Sequence, residues 1–332
     1  MKKIAIVVSV PYQQDKLFDL SNKRLNRDNC LYPFFLLKVK LEAMGFRLFT
    51  HDKCSIEEAE IVIYSDMPSV LPKKTDIDKS YLLLYESELI KPNNWDLENH
   101  KYFHKIFTWN DEFIDNKKYF KLNFSQNIVK KIDKDLTKKK QLCTLIAGNK
   151  KKKHPLELYS KRVEAIRFFE KKHPNEFEFY GIGWNEYNSS NRYIQYLLRK
   201  LKLHKIIAPK YPSWRGKIDS KKEILEKYKF AICYENAKDI SGYITEKIFD
   251  CFFAGCVPVY WGANNIRKYI PENCFIDKNK FETYDELYAF LSNMSESIYL
   301  EYLDNIEKYL NSSDVDVFSN EFFVKQIVEN IR

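Results

Sequence analysis

Tyr228-Lys-Phe-Ala-Ile-Cys-Tyr-Glu-Asn236 opens a stretch that continues as Ala237-Lys-Asp-Ile-Ser-Gly242, Tyr243-Ile-Thr-Glu-Lys-Ile-Phe-Asp-Cys-Phe-Phe-Ala254 and Gly255-Cys-Val-Pro-Val-Tyr-Trp-Gly262. It reads as strand, loop, helix, strand. Within the first run Phe230–Tyr234 is apolar throughout, as a buried strand of a parallel sheet should be. Ile244, Ile248, Cys251 and Phe252 then fall at i, i+4, i+7 and i+8 on one helical face, so the spacing predicts a helix starting near Tyr243. Gly255 stands where a left-handed C-terminal cap belongs. Lys247 lies in the first turn, where unsatisfied N–H groups and the macrodipole already concentrate positive charge. Glu246 offsets part of that repulsion, as on an ordinary surface helix. The alternative is an anion, most simply a phosphate, received by the helix N-terminus and Lys247 together.

The surroundings suit a ligand. In open α/β sheets ligands gather beyond the carboxyl ends of strands, and Tyr234, Glu235 and Asn236 end one such strand. No G-x-x-x-x-G-K-[ST] and no G-x-G-x-x-G occurs, and the chain has only 8 glycines, which excludes a P-loop ATPase and a dinucleotide dehydrogenase.

Further strand-like runs are Ile4–Val10, Ile61–Tyr64, Tyr81–Tyr85 and Lys105–Trp109, then Cys143–Ala147, Phe177–Tyr180, Phe230–Tyr234 and Val257–Trp261. Helix-like patterns fill the intervals, the signature of parallel sheets with crossover helices. The 332 residues suffice for two such α/β domains. The lysine-rich Ile128–Gln141 separates them, giving residues 1–135 and 136–332. Tyr284–Leu291, Glu296–Leu310 and Glu321–Ile331 are helical by period and are expected to finish the second domain.

Composition narrows the class. The chain is 45% hydrophobic and 30% charged, as a packed globular protein should be, with a net charge of +9 that asks for an anionic partner. Much of the excess lies between Lys130 and Lys153, either as a solvated linker or as an attractor of an anionic surface. The 7 cysteines are scattered with no C-x-x-C pair, so reduced core thiols are expected. The basic, apolar start Met1–Val10 lacks the length of a membrane span and a cleavage site, and is read as a buried strand. Asp76-Ile-Asp78, Asp133-Lys-Asp135 and Asp314-Val-Asp316 match the D-x-D of metal-dependent transferases, but none follows a buried strand. His100 and His104, four apart, lack a third ligand, so no metal site is expected.

Tyr234-Glu235-Asn236, Tyr243-Ile-Thr-Glu-Lys247, Gly255 and Val257-Pro-Val-Tyr-Trp-Gly262 together resemble the carboxy-terminal signature of glycosyltransferase family 10, the α-1,3/1,4-fucosyltransferases. Asn149 followed by Tyr159-Ser-Lys-Arg162 is similar to the family segment whose arginine contacts the donor diphosphate. Tyr85-Glu86-Ser87 resembles the step that supplies the base, and Phe107-Thr-Trp-Asn-Asp111 the family's Phe-Asn-Trp segment. The similarity runs from Tyr81 to Ile276 and fades in the first hundred residues, where such enzymes select the acceptor.

The resemblance implies a GT-B architecture of two Rossmann-like, doubly wound domains facing a cleft, with the nucleotide sugar held by the second. It implies inverting transfer of L-fucose from GDP-β-L-fucose to a hydroxyl of a saccharide or lipid-linked glycan, in α-1,3 or α-1,4 linkage, as in lipopolysaccharide O-antigen, capsule or protein glycosylation. Glu86 would then be the base, and Arg162 and Lys247 the cations at the departing diphosphate. Glu246 would meet the ribose, and Tyr243, Glu235, Asn236 and Asn149 would complete the donor site. No cofactor is required on this reading; a divalent cation would at most stimulate. The absence of a Golgi-type anchor implies a bacterial-type soluble, cytoplasmic member, peripheral to an anionic inner membrane face. The alternatives are another GDP-sugar as donor, or a basic nucleic-acid-binding protein, for which no recognisable module is present.

Overall fold

The computed structural model describes residues 2–189 and 191–331. The chain forms two compact units. The first takes the residues up to Ile128, Ser241–Ile244 and the chain from Ser313 on, and the second takes Val129–Ile240 and Thr245–Ser312. The longer helices are α1 (Tyr32–Ala43), α2 (Tyr159–Lys172), α3 (Arg192–Lys200), α4 (Glu246–Phe253), α5 (Tyr284–Ser292), α6 (Glu296–Leu310) and α7 (Asn320–Asn330).

In the first unit β1 (Lys2–Val7), β2 (Phe46–Thr50), β3 (Ile61–Ser65), β4 (Ser80–Leu84), β5 (Lys105–Thr108) and β6 (Tyr119–Lys121) form one parallel sheet in the order β2-β1-β3-β4-β5-β6. Successive side chains point to opposite faces, so each strand feeds two cores. Ile4, Ile6, Leu83 and Phe107 pack on one side with Leu37 and Leu41 of α1. Ala5, Val62, Leu82, Leu84 and Ile106 pack on the other with Tyr64 and Phe103. With both faces covered, the strands carry apolar runs rather than alternation, which is why they could be read from sequence.

The second unit repeats the scheme. Its strands β7 (Gln141–Ile146), β8 (Phe177–Tyr180), β9 (Tyr228–Tyr234), β10 (Val257–Trp261) and β11 (Ile276–Asp277) are parallel in the order β11-β10-β9-β7-β8. The direction of winding reverses between β7 and β9, which creates a crevice at their carboxyl ends. Gly255 follows α4 with φ +57°, the left-handed cap expected; a Cβ there would lie 2.2 Å from the carbonyl oxygen of Asp133.

Three expectations change. The boundary set at 135/136 falls at 128/129, because Ile132 N–H donates to Glu307 at 3.2 Å, Asn311 Nδ2 donates to the Lys130 carbonyl at 2.7 Å, and Lys134 pairs with Asp304 and Glu307. The lysine-rich stretch is thus strapped to α6. The third terminal helix, α7, leaves the second unit: Phe323, Val324, Ile327 and Val328 join the core of the first sheet, and Lys105 Nζ donates to the Asn330 carbonyl at 2.9 Å. An apolar stripe says that a helix must be covered, not which sheet covers it. Finally, α4 starts at Glu246 rather than near Tyr243, so Ile244 precedes the helix instead of lining its face. All seven cysteines carry free thiols. No helix among the described residues is long and apolar enough to cross a membrane.

Candidate functional site

The end of β9 meets the start of α4 around one buried carboxylate. Glu235 is completely buried. Its Oε1 accepts the Thr245 backbone N–H at 2.8 Å, and the Thr245 hydroxyl lies 3.0 and 2.8 Å from the two oxygens. Lys247 Nζ donates to Glu235 Oε2 at 2.9 Å and to Thr245 Oγ1 at 2.8 Å. Thr245 occupies the N-cap position without making the usual side-chain cap. Glu235 substitutes from outside the helix, placing a negative charge against the positive end of the dipole. A buried carboxylate requires such compensation, and Lys247 supplies it while keeping about a quarter of its side chain, 23%, in contact with solvent. Gly262 makes the approach sterically open: a Cβ there would stand 2.6 Å from Glu235 Cγ and 2.4 Å from Tyr260 Oη.

Arg162 reaches the same strand end from α2. Its Nη2 donates to the carbonyls of Tyr234 at 2.6 Å and Glu235 at 2.8 Å, and to Asn236 Oδ1 at 3.1 Å. The guanidinium is almost wholly buried and stacks over Tyr159 with 5.1 Å to the ring centroid. Leu158 N–H donates to the Asn236 carbonyl and Lys238 N–H to the Leu156 carbonyl, so the turn after β9 is laced to the start of α2. Arg162 therefore sets the backbone from which Glu235 and Asn236 project.

Glu246, the first residue of α4, is partly exposed. Burial works to raise its carboxyl, but the ammonium groups of Lys247 and Lys221 outweigh it and hold the pKa down at about 2. Lys221 also pairs with Asp250 at 2.6 Å, one turn along α4. Neither Lys221 nor Thr245 was singled out from sequence. Thr with an acid in the turn that follows is a recognisable helix start, whereas the reach of Lys221 across to α4 is a tertiary fact with no local signal.

Asn149 lies just past the end of β7, on the other side of the switch point from Glu235. Its Nδ2 donates to the Gly183 carbonyl at 2.9 Å, and its own carbonyl accepts Asn188 Nδ2 at 3.0 Å, which ties it to the loop after β8 rather than to the Glu235 cluster. Among the described residues no group of three His, Cys, Asp or Glu side chains is arranged to hold a metal ion.

Two predicted residues belong to the first unit. Tyr243 is buried, its ring 4.7 Å from Trp109 and 6.0 Å from Phe124. Glu86 follows β4 with its backbone clamped: Asp66 Oδ1 accepts the N–H of Tyr85 at 2.8 Å and of Glu86 at 3.2 Å. The Glu86 carbonyl accepts Asn94 Nδ2 and Trp95 Nε1, each at 3.0 Å. Its side chain is half-buried, while Glu88 beside it is exposed. Asp66 and Asn94, which do the clamping, were not foreseen.

Residues 170–325 match the family model described as glycosyltransferase family 10 (fucosyltransferase), C-terminal part. That span contains Glu235, Asn236, Tyr243, Glu246 and Lys247 and leaves out Glu86, Asn149 and Arg162. An α-(1,3)-fucosyltransferase, FucT, of Helicobacter pylori is 31% identical over 123 residues, covering 34% of this chain and 25% of that protein. An α-(1,4)-fucosyltransferase of Arabidopsis thaliana is 36% identical over 77 residues, covering 23% of this chain and 19% of its own. The matched segments thus span a quarter or less of these relatives. Among solved structures, an α1,3-fucosyltransferase with GDP-fucose superposes with a TM-score of 0.57 at 14% identity, over 100% of this chain and 90% of that one. An α-glucosyltransferase in complex with UDP and a 13-mer DNA gives 0.53 at 13% identity over 100% of both. At such identities the likeness shows the fold, which is GT-B. Over residues 170–325 the chain is thus similar to the carboxy-terminal part of glycosyltransferase family 10.

Proposed function

We propose that the protein is an inverting fucosyltransferase that moves L-fucose from GDP-β-L-fucose to a hydroxyl of a saccharide or lipid-linked glycan, in α-1,3 or α-1,4 linkage. The observation that carries this reading is the Glu235–Thr245–Lys247 network at the N-terminus of α4, inside the family-10 match. Transfer requires stabilisation of the charge that develops on the departing diphosphate. Glu235 holds Lys247 in one orientation at a helix end whose N–H groups already favour anions, so no reorganisation is needed when that charge appears. Arg162 acts with it, fixing the strand end and adding positive potential. Glu246, kept ionised by its two lysines, is suited to accept hydrogen bonds from ribose hydroxyls. Glu86, on its clamped backbone, takes the proton of the acceptor hydroxyl.

Lysine and arginine supply the positive charge on this reading, so turnover needs no divalent cation, which at most stimulates. The free thiols agree with a cytoplasmic protein building a surface glycan, and the net charge of +9 with peripheral contact at an anionic membrane face.

Donor hydrolysis and transfer measured over a set of GDP- and UDP-sugars test the proposal. GDP-fucose should be turned over, and Lys247→Ala should lower that rate at least about tenfold. Turnover of UDP-sugars alone would overturn the assignment, and a preference for a different GDP-sugar would replace fucose as the cargo.

A further inference from the structure

Between β8 and β9 the chain runs 32 residues, Tyr187–Ile218, without one Asp or Glu while carrying eight Lys and Arg, against a net charge of +9 for the whole protein. Within it α3 is amphipathic. At 100° per residue, Tyr193, Leu197 and Leu201 fall on one face with Ile194 and Leu198 beside them, and Gln195 and Arg199 fall opposite. A surface helix ordinarily turns such a stripe inward. Here it faces solvent: Tyr193 is 82% exposed, Tyr196 63%, Leu197 54% and Leu201 62%. A short helix, Leu203–Ile206, follows. His204 is buried there, with Nδ1 3.2 Å from the Leu198 carbonyl and its own carbonyl accepting Tyr187 N–H at 2.7 Å, while Ile206 remains 77% exposed. Among the described residues, eight of the sixteen exposed large apolar side chains lie between Tyr193 and Ile207.

We propose that residues 191–207 are a docking surface for an anionic lipid bilayer. Exposed tyrosine, leucine and isoleucine would enter the headgroup boundary, and Lys200, Lys202 and Lys205 would meet lipid phosphates. Charge complementarity selects this occupant. An apolar groove on a protein would accept the stripe whatever the charge around it, whereas a negatively charged sheet of headgroups favours 32 residues free of acids. A helix of nine residues is about 13 Å long, too short to span a bilayer, so it lies in the interface plane. The inference does not depend on the transfer reaction.

The test is co-sedimentation of the full chain with vesicles of phosphatidylcholine alone or mixed with phosphatidylglycerol, at low and high salt. The anionic vesicles should bind at least about tenfold better at low salt, and salt should erode the difference. The pair Leu197→Ser, Ile206→Ser and the triple Lys200→Gln, Lys202→Gln, Lys205→Gln should each weaken binding at least about tenfold. The control triple Lys150→Gln, Lys151→Gln, Lys152→Gln should weaken it less than about threefold if the docking surface is local. A Leu197→Trp variant should shift its emission to the blue on anionic vesicles alone. Equal binding to both vesicle types, undiminished binding by the serine pair, an equal loss in the control triple, or an unshifted tryptophan would each overturn the proposal. So would light scattering that shows an oligomer turned into a monomer by the serine pair, since the stripe would then be covered by a second copy.

Discussion

Glu235 and Glu86 both follow a buried parallel strand, yet their surroundings differ in kind. Around Glu235 the structure is built on the side chain: an ammonium, a hydroxyl and a backbone N–H converge on a carboxylate with no solvent exposure. Around Glu86 it is built on the backbone, held by Asp66, Asn94 and Trp95, with the carboxylate left half-buried. A carboxylate enclosed by its own partners holds other groups in place. One whose main chain is immobilised and which is only half-buried suits the proposed part of a base. Two residues that look alike in the sequence are thus separated by how deeply the fold buries them.

The largest expected effect comes from removing the enclosed one. Glu235→Ala takes from Lys247 and Thr245 the buried carboxylate that both bond, and the loss of one partner of a buried pair costs about 3–5 kcal/mol. The midpoint of thermal unfolding should then fall by about 5 °C. A shift within about 1 °C would mean that Glu235 is dispensable to the local fold, and the distinction would collapse. Glu86→Gln comes next. It keeps shape and backbone contacts, so transfer should fall about a hundredfold while GDP affinity measured by calorimetry and the unfolding temperature stay as in the wild type. Equal losses of transfer and affinity would assign Glu86 a structural part. The smallest effect belongs to Lys221→Met. The wild-type Glu246 carboxyl, lowered from 4.5 to about 2, contributes stability that is fully present above its unfolded value and is lost as pH falls towards about 2. The mutant lacks part of that contribution, so its unfolding temperature should lie below the wild type at neutral pH, and the gap should close between pH 4.5 and 2. A gap independent of pH would show that Lys221 acts through packing instead.

Much of the fold was legible because buried parallel strands announce themselves. β1, β3, β4 and β5 were read from apolar runs, as were β7 to β10. The strands that escaped, β2, β6 and β11, all lie at sheet edges. β2 carries Arg47, while β6 has three residues and β11 two, too few to establish a period. The helix starts three positions later than the spacing suggests, because the apolar Tyr243 and Ile244 extend the helical pattern without joining the helix, and Tyr243 buries its ring against Trp109. At the site, the residue types were legible and their partners were not. Lys247 was read as a cation awaiting an anion, but nothing local says that Glu235 is buried beneath it or that Lys221 arrives from another element. Arg162 likewise stood out as a charge, while its grip on the carbonyls of Tyr234 and Glu235 is visible only once α2 and β9 are packed.

The chain passes from one unit to the other after residues 128, 240, 244 and 312, and α7 supplies Phe323, Val324, Ile327 and Val328 to a core that begins with Ile4. The residues of β1 therefore complete their packing only once α7 has been made. Until α7 has been made, the first sheet keeps part of one apolar face uncovered, and contacts so distant in sequence slow folding and favour aggregation. Removing only α7 would consequently damage the unit that contains β1 to β6.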